Sequence, residues 1–302
     1  MLDQSQALFA QLAVEGRTVL ADWRALLLIR RATAATPATQ RRWRAAPQTT
    51  TDVRRLLRQL VRRGDLRAIT GLANIYQVTA PFAPAGAPPE NAVLLELNPY
   101  ASISHLSALV FHELTDQFPL SLTASIPDRG TGDQLPLDST ADDWAGQRRA
   151  PGRTPPTIMQ RPVHWVRFPT KHCFGSQTYR PQGFSVRVTT LERTLLDALQ
   201  RPELAGGSQN VLHAWALARD MLDSELLIDY VERFDSGILR QRAGYVLEAL
   251  GLRHIELDRW AAASVRGGSS KLVAAAPYAP AFSERWNLSL NVPVDALTQV
   301  AS

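Results

Sequence analysis

The chain has 302 residues, a net charge of +5, 45% hydrophobic residues and one cysteine. That apolar content excludes a disordered chain, the longest apolar runs, such as ALLLI at 25–29, are far too short to cross a bilayer, and Cys173 alone permits neither an intramolecular disulfide nor a zinc cluster. The charge is lopsided: residues 1–80 hold thirteen arginines against five acids, a surplus of eight that leaves the remainder three units negative, which points to a nucleic-acid-binding first module joined to a second that has no need of polyanions.

The N-terminal string MLDQSQALFAQLAVEGR has an acid near its start and no cationic n-region, so no signal peptide and a cytoplasmic protein are expected. Within it, residues 4–14 carry a helical stripe of Leu8 and Leu12 that stops at Gly16. RTVLA at 17–21 reads as a short strand, and Asp22 opens a second helix over DWRALLLIRR, with Trp23, Leu26, Leu27 and Ile29 inward. Pro37 and Pro47 break the segment 32–48, where Arg41, Arg42 and Arg44 surround Trp43; a phosphate contact and a merely solvated loop are both open for these arginines.

TTTDVRRLLRQLVRRG at 49–64 is the stretch that points most directly to function. Val53, Leu56, Leu57, Leu60 and Val61 recur at i, i+3, i+4, i+7 and i+8, one buried helical face, with Thr51 or Asp52 as N-cap and Gly64 as the stop. At about 100° per residue, the opposite face centres on Arg55 and Arg62, flanked by Arg58 and Gln59, with Arg54 and Arg63 at the margins. No acid lies between Asp52 and Asp65, so these arginines lack i,i+4 partners and repel one another unless a polyanion neutralises them. DLRAI and IYQV then read as two strands joined by a turn containing Gly71 and Asn74. A basic helix followed by a hairpin is the ending of a winged helix-turn-helix. The candidate DNA-binding residues are Thr50, Thr51, Arg54, Arg55, Arg58, Gln59, Arg62 and Arg63 on the helix, Arg67, Asn74 and Tyr76 on the hairpin, and Arg41, Arg42 and Arg44 in the preceding loop.

Residues 79–91 are rich in Pro, Ala and Gly and read as an interdomain linker between a module at 1–78 and a larger domain at 92–302. A helix is expected from Ser102 or Ser104 to Leu114, then a strand over SLTASIP. Residues 128–160 are polar, Gly/Pro-rich and aperiodic and read as a long mobile excursion, with Trp144 as a candidate to dock it. Strands follow at 163–169 and 184–190, then four helices over 191–250 closed by Gly251, and a last strand at 285–292. The expected class is α+β.

Several strings now resemble the successive blocks of AbiEi-family antitoxins: SHLSALVFHELTDQFP at 104–119, VTTLERTLLDALQRPELAGG at 188–207, ILRQRAGYVLEALG at 238–251 and ERWNLSLNV at 284–292. The resemblance covers most of 50–292, and its most specific part is the LERTLLDAL-RPELAGG block. It implies an N-terminal winged helix and a C-terminal antitoxin domain. It further implies a repressor that binds repeats in its own promoter and counteracts a nucleotidyltransferase toxin encoded beside it, in a type IV toxin-antitoxin system of phage defence, with or without direct contact to the toxin. Within the LERTLLDAL block Leu191, Leu195, Leu196 and Leu199 form a helical stripe, and Glu192, Arg193 and Asp197 are its polar residues, either an internal ion pair or a toxin-facing patch.

Catalytic alternatives fare worse. Gly207-Ser208 ahead of Asp223 and Glu225 imitates a nucleotidyltransferase, but carboxylates at i and i+2 share a face only on a strand, and DSELLIDYVERF is helical. RGGSSKLV fails as a phosphate loop, because a leucine follows Lys271 where Ser or Thr is needed. His105 and His112 lack a third metal ligand, and nothing marks a base beside Cys173, next to Lys171 and His172. No cofactor, metal or catalytic activity is expected. The competing readings are a transcription factor with a ligand-sensing C-terminal domain, and an enzyme acting on nucleotides or nucleic acid.

Overall fold

In a computed structural model that describes residues 1–131, 134–264 and 269–297, the chain is mixed α+β and divides into two compact units. One comprises Met1–Ser102, Arg129–Val163 and Thr178–Arg187; the other comprises Ile103–Asp128, His164–Gln177 and the chain from Val188. The chain passes from one to the other five times, so no single cut in the sequence separates them.

The first unit opens with α1 (Gln4–Val14), capped by Asp3 and Gln6 in a reciprocal box, and continues through β1 (Val19–Ala21) into α2 (Asp22–Ala35). α3 (Thr50–Arg63) starts two or three residues earlier than expected. Its N-cap is Thr49, whose partner in the capping box is Asp52, so Asp52 is the N3 residue and not the cap. Gly64 ends the helix at φ +81°, a left-handed position that only glycine adopts without strain. β2 (Leu66–Ala68) and β3 (Ile75–Val78) pair antiparallel, Leu66 opposite Val78, and β1 pairs with the other side of β3 in the order β1-β3-β2. Leu8, Leu12, Leu28, Ile29, Val53, Leu57, Leu60 and Leu66 form one core beneath these elements.

The stretch 79–91 is not a linker. Ala80 is buried, Phe82 sets its ring edge-on to Phe9 at 6.1 Å, and the chain runs directly into α4 (Glu90–Leu97), which packs within the same unit. The cause is one carboxylate. Glu96, 4% exposed, receives Arg24 Nε and Arg17 Nη1, each at 3.0 Å, and the Ala21 amide at 3.2 Å, while its own carbonyl accepts Trp23 Nε1 at 2.9 Å. Burial lowers the pKa of the fully buried Arg24 guanidinium to about 10, and its Cζ lies 4.1 Å from the Trp23 ring centroid. For Arg17 burial works in the same sense, but Glu96, Glu15 and Asp138 together raise it above its ordinary value.

The expected mobile excursion is docked as well, its residues 132 and 133 lying outside the described ones. Trp144 is buried against Trp23 at 6.3 Å, and Asp143 clasps Arg31 with two bonds of 2.7 and 2.9 Å. Asp138 pairs with Arg17, and the Tyr100 hydroxyl donates to the Ala150 carbonyl at 2.8 Å. A polar, aperiodic sequence can still be anchored when its acids meet arginines of neighbouring segments, here Arg17 before β1 and Arg31 on α2.

β4 (Ser102–Ile103) is followed by α5 (His105–Phe111), shorter than expected because Glu113 takes φ +59°, and by β5 (Leu122–Pro127). β6 (Thr157–Ile158), β7 (Arg161–Phe168), β8 (Ser176–Tyr179) and β9 (Val186–Thr189) complete a six-stranded sheet in the order β6-β7-β5-β4-β9-β8. Besides α5, the α-helices of the second unit among the described residues are α6 (Leu191–Gln200), α7 (Ser208–Ala218), α8 (Ser224–Phe234), α9 (Gly237–Ala249) and α10 (Ile255–Ser264), the last not anticipated from the sequence. The expected final strand is only β12 (Leu288–Ser289), between β10 (Ser270–Lys271) and β11 (Phe282–Ser283). Trp286, fully buried, lies so close to α9 that a Cβ on Gly244 would meet its ring at 2.2 Å, and its Nε1 donates to Glu248 at 2.7 Å.

Glu96→Gln removes the charge that two buried guanidinium groups share and is expected to destabilise the first unit by about 3–5 kcal/mol, the usual cost of orphaning a buried ion. Denaturant unfolding of the full chain measures it, and an unchanged midpoint would show that the network carries no stability. For the same reason a fragment ending near residue 80, which lacks Glu96, should lose cooperative unfolding.

Candidate nucleic-acid interface

α3 presents its polar face as the sequence spacing requires. Val53, Leu57 and Leu60 are buried, whereas Thr51, Arg55, Arg58, Gln59, Arg62 and Arg63 are exposed, and Thr50 and Arg54 are half-buried. The acids that might neutralise this face are engaged elsewhere. Asp52 accepts the Gln48 and Thr49 amides at 2.9 Å each, and those two bonds hold its carboxyl below the usual range. Asp22 takes Arg54 through bonds of 3.0 and 2.8 Å, and Asp65 takes Arg63 at 3.0 Å. Among the described residues Arg55, Arg58 and Arg62 have no ion-pair partner; Arg58 Nε reaches only the Arg54 carbonyl, at 3.4 Å.

The hairpin beside α3 supplies Arg67, exposed on β2, and Asn74, half-buried at φ +56° in the turn, whose carbonyl accepts the Asp22 amide at 3.2 Å. Tyr76 is a correction. It faces the core, 8% exposed, because alternation along β3 turns the side chains of 76 and 78 inward, and burial raises its hydroxyl pKa; it is not a DNA contact. In the loop before α3, Arg41 Nη1 is bound to the Trp43 and Arg44 carbonyls at 3.0 and 2.8 Å, and Trp43 Nε1 donates to Thr33 Oγ1 at 2.7 Å. Arg41 therefore shapes the loop, while Arg42 and Arg44 stay exposed on it.

The second candidate patch does not survive as a surface. Glu192, Arg193 and Asp197 are 5%, 2% and 1% exposed. Arg193 Nε meets Asp197 at 2.8 Å, its Nη1 donates to the His172 and Phe174 carbonyls, and its guanidinium lies 4.5–4.8 Å from the rings of Phe168, Phe174 and Phe234. Glu192 accepts the Asp223 amide at 3.2 Å. These three residues hold α6 in the interior.

The nucleotidyltransferase imitation dissolves too: Asp223 is the N-cap of α8, accepting the Leu226 amide, and Glu225 points to His254 at 3.1 Å. Of RGGSSKLV, residues 266–268 lie outside the described ones, and Lys271 donates to the Ala276 carbonyl at 2.8 Å. Burial raises the Cys173 thiol away from thiolate. No cluster of three metal-ligating side chains occurs among the described residues. His112 Nε2 is bonded to the Thr189 carbonyl at 2.8 Å, and His105 starts α5 at φ +50°, fully buried, with Nδ1 on Ser104 Oγ at 3.0 Å and Nε2 unpaired.

Set against known proteins, the chain is similar to the crystal structure of the RV2827C protein from Mycobacterium tuberculosis, with a TM-score of 0.55 and 14% identity over 99% of this chain and 94% of that one. At that identity the likeness shows the α+β fold alone. No family model matches the chain, and no curated protein matches it.

Burial pushes the His105 imidazole from 6.5 down to about 4, outweighing the opposing field of Asp197. The unfolded chain then binds the proton more readily, so the stability due to a neutral His105 is complete above pH 6.5 and is lost as pH falls toward 4. The loss should approach about 3 kcal/mol. Unfolding midpoints measured across this range should slope less in His105→Asn, which tolerates the positive φ; equal slopes would refute the assignment.

Proposed function

We propose that this chain is a sequence-specific DNA-binding protein, an autorepressor that acts in the cytoplasm and also serves as the antitoxin to a nucleotidyltransferase toxin. One observation carries the DNA-binding half: α3 exposes Arg55, Arg58, Gln59 and Arg62 with no acid to neutralise them, next to an antiparallel hairpin that offers Arg67. The order α1, β1, α2, α3, β2, β3 supports reading this part as a winged helix-turn-helix with α3 as the recognition helix. The antitoxin half rests on the resemblance of the blocks within 104–292 to AbiEi-family antitoxins. Among the described residues no helix is long and apolar enough to cross a membrane.

On this reading α3 lies in the major groove. Arg55, Arg58 and Gln59, toward its N-terminal half, reach base edges, where an arginine pairs with guanine and a glutamine with adenine. Arg62 and Arg63 meet phosphates, as do Arg42, Arg44, Arg67 and the turn at Asn74. Arg54, held by Asp22, fixes the helix to α2 and contributes a weaker share.

Arg58→Ala should cost roughly 1–3 kcal/mol on the operator and relax sequence preference, while Arg63→Ala should weaken operator and random duplex alike. Fluorescence anisotropy on the two duplexes measures both, and equal losses everywhere for both variants would overturn the assignment of roles.

Replacing Arg55, Arg58 and Arg62 together by glutamine keeps length and helix propensity. It should remove about 1 from the slope of log K against log salt, because Arg62 alone of the three meets a phosphate. Repression of the chain's own promoter should vanish, while protection from the toxin, with the variant expressed from an independent promoter, should persist. A folded variant that loses both activities would show that protection acts through the DNA-binding face.

A further inference from the structure

The outer face of the β2–β3 hairpin is partly covered. Arg67 and Gln77 stand opposite each other across the two strands, the Gln77 side-chain amide donates to the Gly86 carbonyl, and the segment 81–88 lies over them. Between roof and hairpin is a hollow of about 740 Å³, wholly within the first unit. Its size falls inside the range of small-molecule pockets, roughly 300–1,000 Å³. The roof is built from Pro81, Pro84 and Pro88 with intervening alanines, a composition that loses little conformational entropy when a ligand enters.

The wall has one charge. Ile69, Ala83, Pro84 and Met159 give an apolar lining, no carboxylate contributes to it, and Arg67 is the lone cation among the described residues that line it. Arg67 has no protein partner among the described residues. A guanidinium beside an apolar chamber selects a ligand with one carboxylate and an apolar body, because the carboxylate takes two parallel N–H bonds while the body displaces water from the wall.

We propose that this hollow binds a small amphipathic monoanion, a medium-chain or aryl carboxylate, through Arg67. The consequence for regulation rests on the DNA-binding reading: Arg67 serves the ligand and the DNA backbone in turn, so an occupied hollow removes one wing contact and weakens operator binding.

The chain has three methionines, Met1, Met159 and Met221, of which Met159 alone lines the hollow. Methyl-labelled methionine in the full-length protein therefore reports occupancy by NMR. Sodium octanoate and sodium 4-phenylbutyrate should each move the Met159 resonance saturably and leave Met1 and Met221 in place. 1-Octanol, the neutral counterpart, should need at least about tenfold higher concentration, because it loses the charge-assisted pair with Arg67. Arg67→Gln should bring octanoate down to the level of octanol and leave octanol itself unchanged, a pattern that loss of packing would not produce. A Met159 signal unmoved by both carboxylates, octanol binding as well as octanoate, or undiminished octanoate binding by Arg67→Gln each overturns the site. Saturating octanoate should also lower operator affinity to that of Arg67→Gln and have no effect on that variant. Ligand binding without this change refutes the regulatory link, and absence of DNA binding at all refutes the proposed function while Met159 still decides the site.

Discussion

The first unit depends on a single carboxylate placed where water cannot reach. Glu96 faces two guanidinium groups, one of them fully buried, and caps the amide of Ala21 at the junction of β1 and α2. An isolated guanidinium at that depth would be prohibitive, so α4 must dock for the α2 side of the core to form. The dependence continues outward. The residue after Ala21 is Asp22, whose carboxylate holds Arg54 on α3, and whose amide binds the Asn74 carbonyl in the hairpin turn. The position of the basic helix and that of the hairpin both trace back to the same buried ion pair.

Much of α3 was legible because its information is local. The apolar spacing of Val53, Leu57 and Leu60 defines the buried side, and the exposed arginines follow from it. The cap was misplaced because three consecutive threonines offer equivalent hydroxyls, and only the reach of Asp52 back to the Thr49 amide selects among them. Glu96 gave no such signal. It sits in NAVLLEL, where an acid inside an apolar run looks like a tolerated surface residue, and its partners lie 72 and 79 positions away. The same holds for Asp138 and Asp143, which turn an aperiodic stretch into a docked one through Arg17 and Arg31. The linker expectation failed because composition measures flexibility in isolation, whereas Ala80 and Phe82 find contacts that composition cannot report. Strands of two residues, such as β10 to β12, are shorter than any alternation can reveal.

In the second unit the polar residues of α6 show how charge can be structural. Arg193 is almost completely enclosed, yet its donors reach a carboxylate and two carbonyls, and its faces meet aromatic rings, so desolvation is offset on every side. The block LERTLLDAL, the most specific part of the resemblance, is thus packed into the interior, and Gly244 against Trp286 ties two more of the blocks together in the same way. Such residues bear on fold. On the proposed antitoxin reading, the partner surface therefore has to lie on the exposed positions between these blocks.

The surplus of arginine in the first eighty residues becomes specific once each acid is traced. Asp3 caps α1, Glu15 holds Arg17 and Arg31, Asp22 holds Arg54, Asp52 closes the capping box of α3, and Asp65 holds Arg63. All five are engaged by the fold itself. Of the arginines that receive no acid, Arg55, Arg58 and Arg62 lie outward on α3, Arg67 on β2, and Arg42 and Arg44 on the loop before α3. With a screening length of about 8 Å at physiological salt, the three on α3, one to two turns apart, still repel one another. Negative charge that relieves this repulsion has to come from outside the first eighty residues, and on the DNA-binding proposal it comes from the phosphates of a duplex, regularly spaced along a groove that admits a helix.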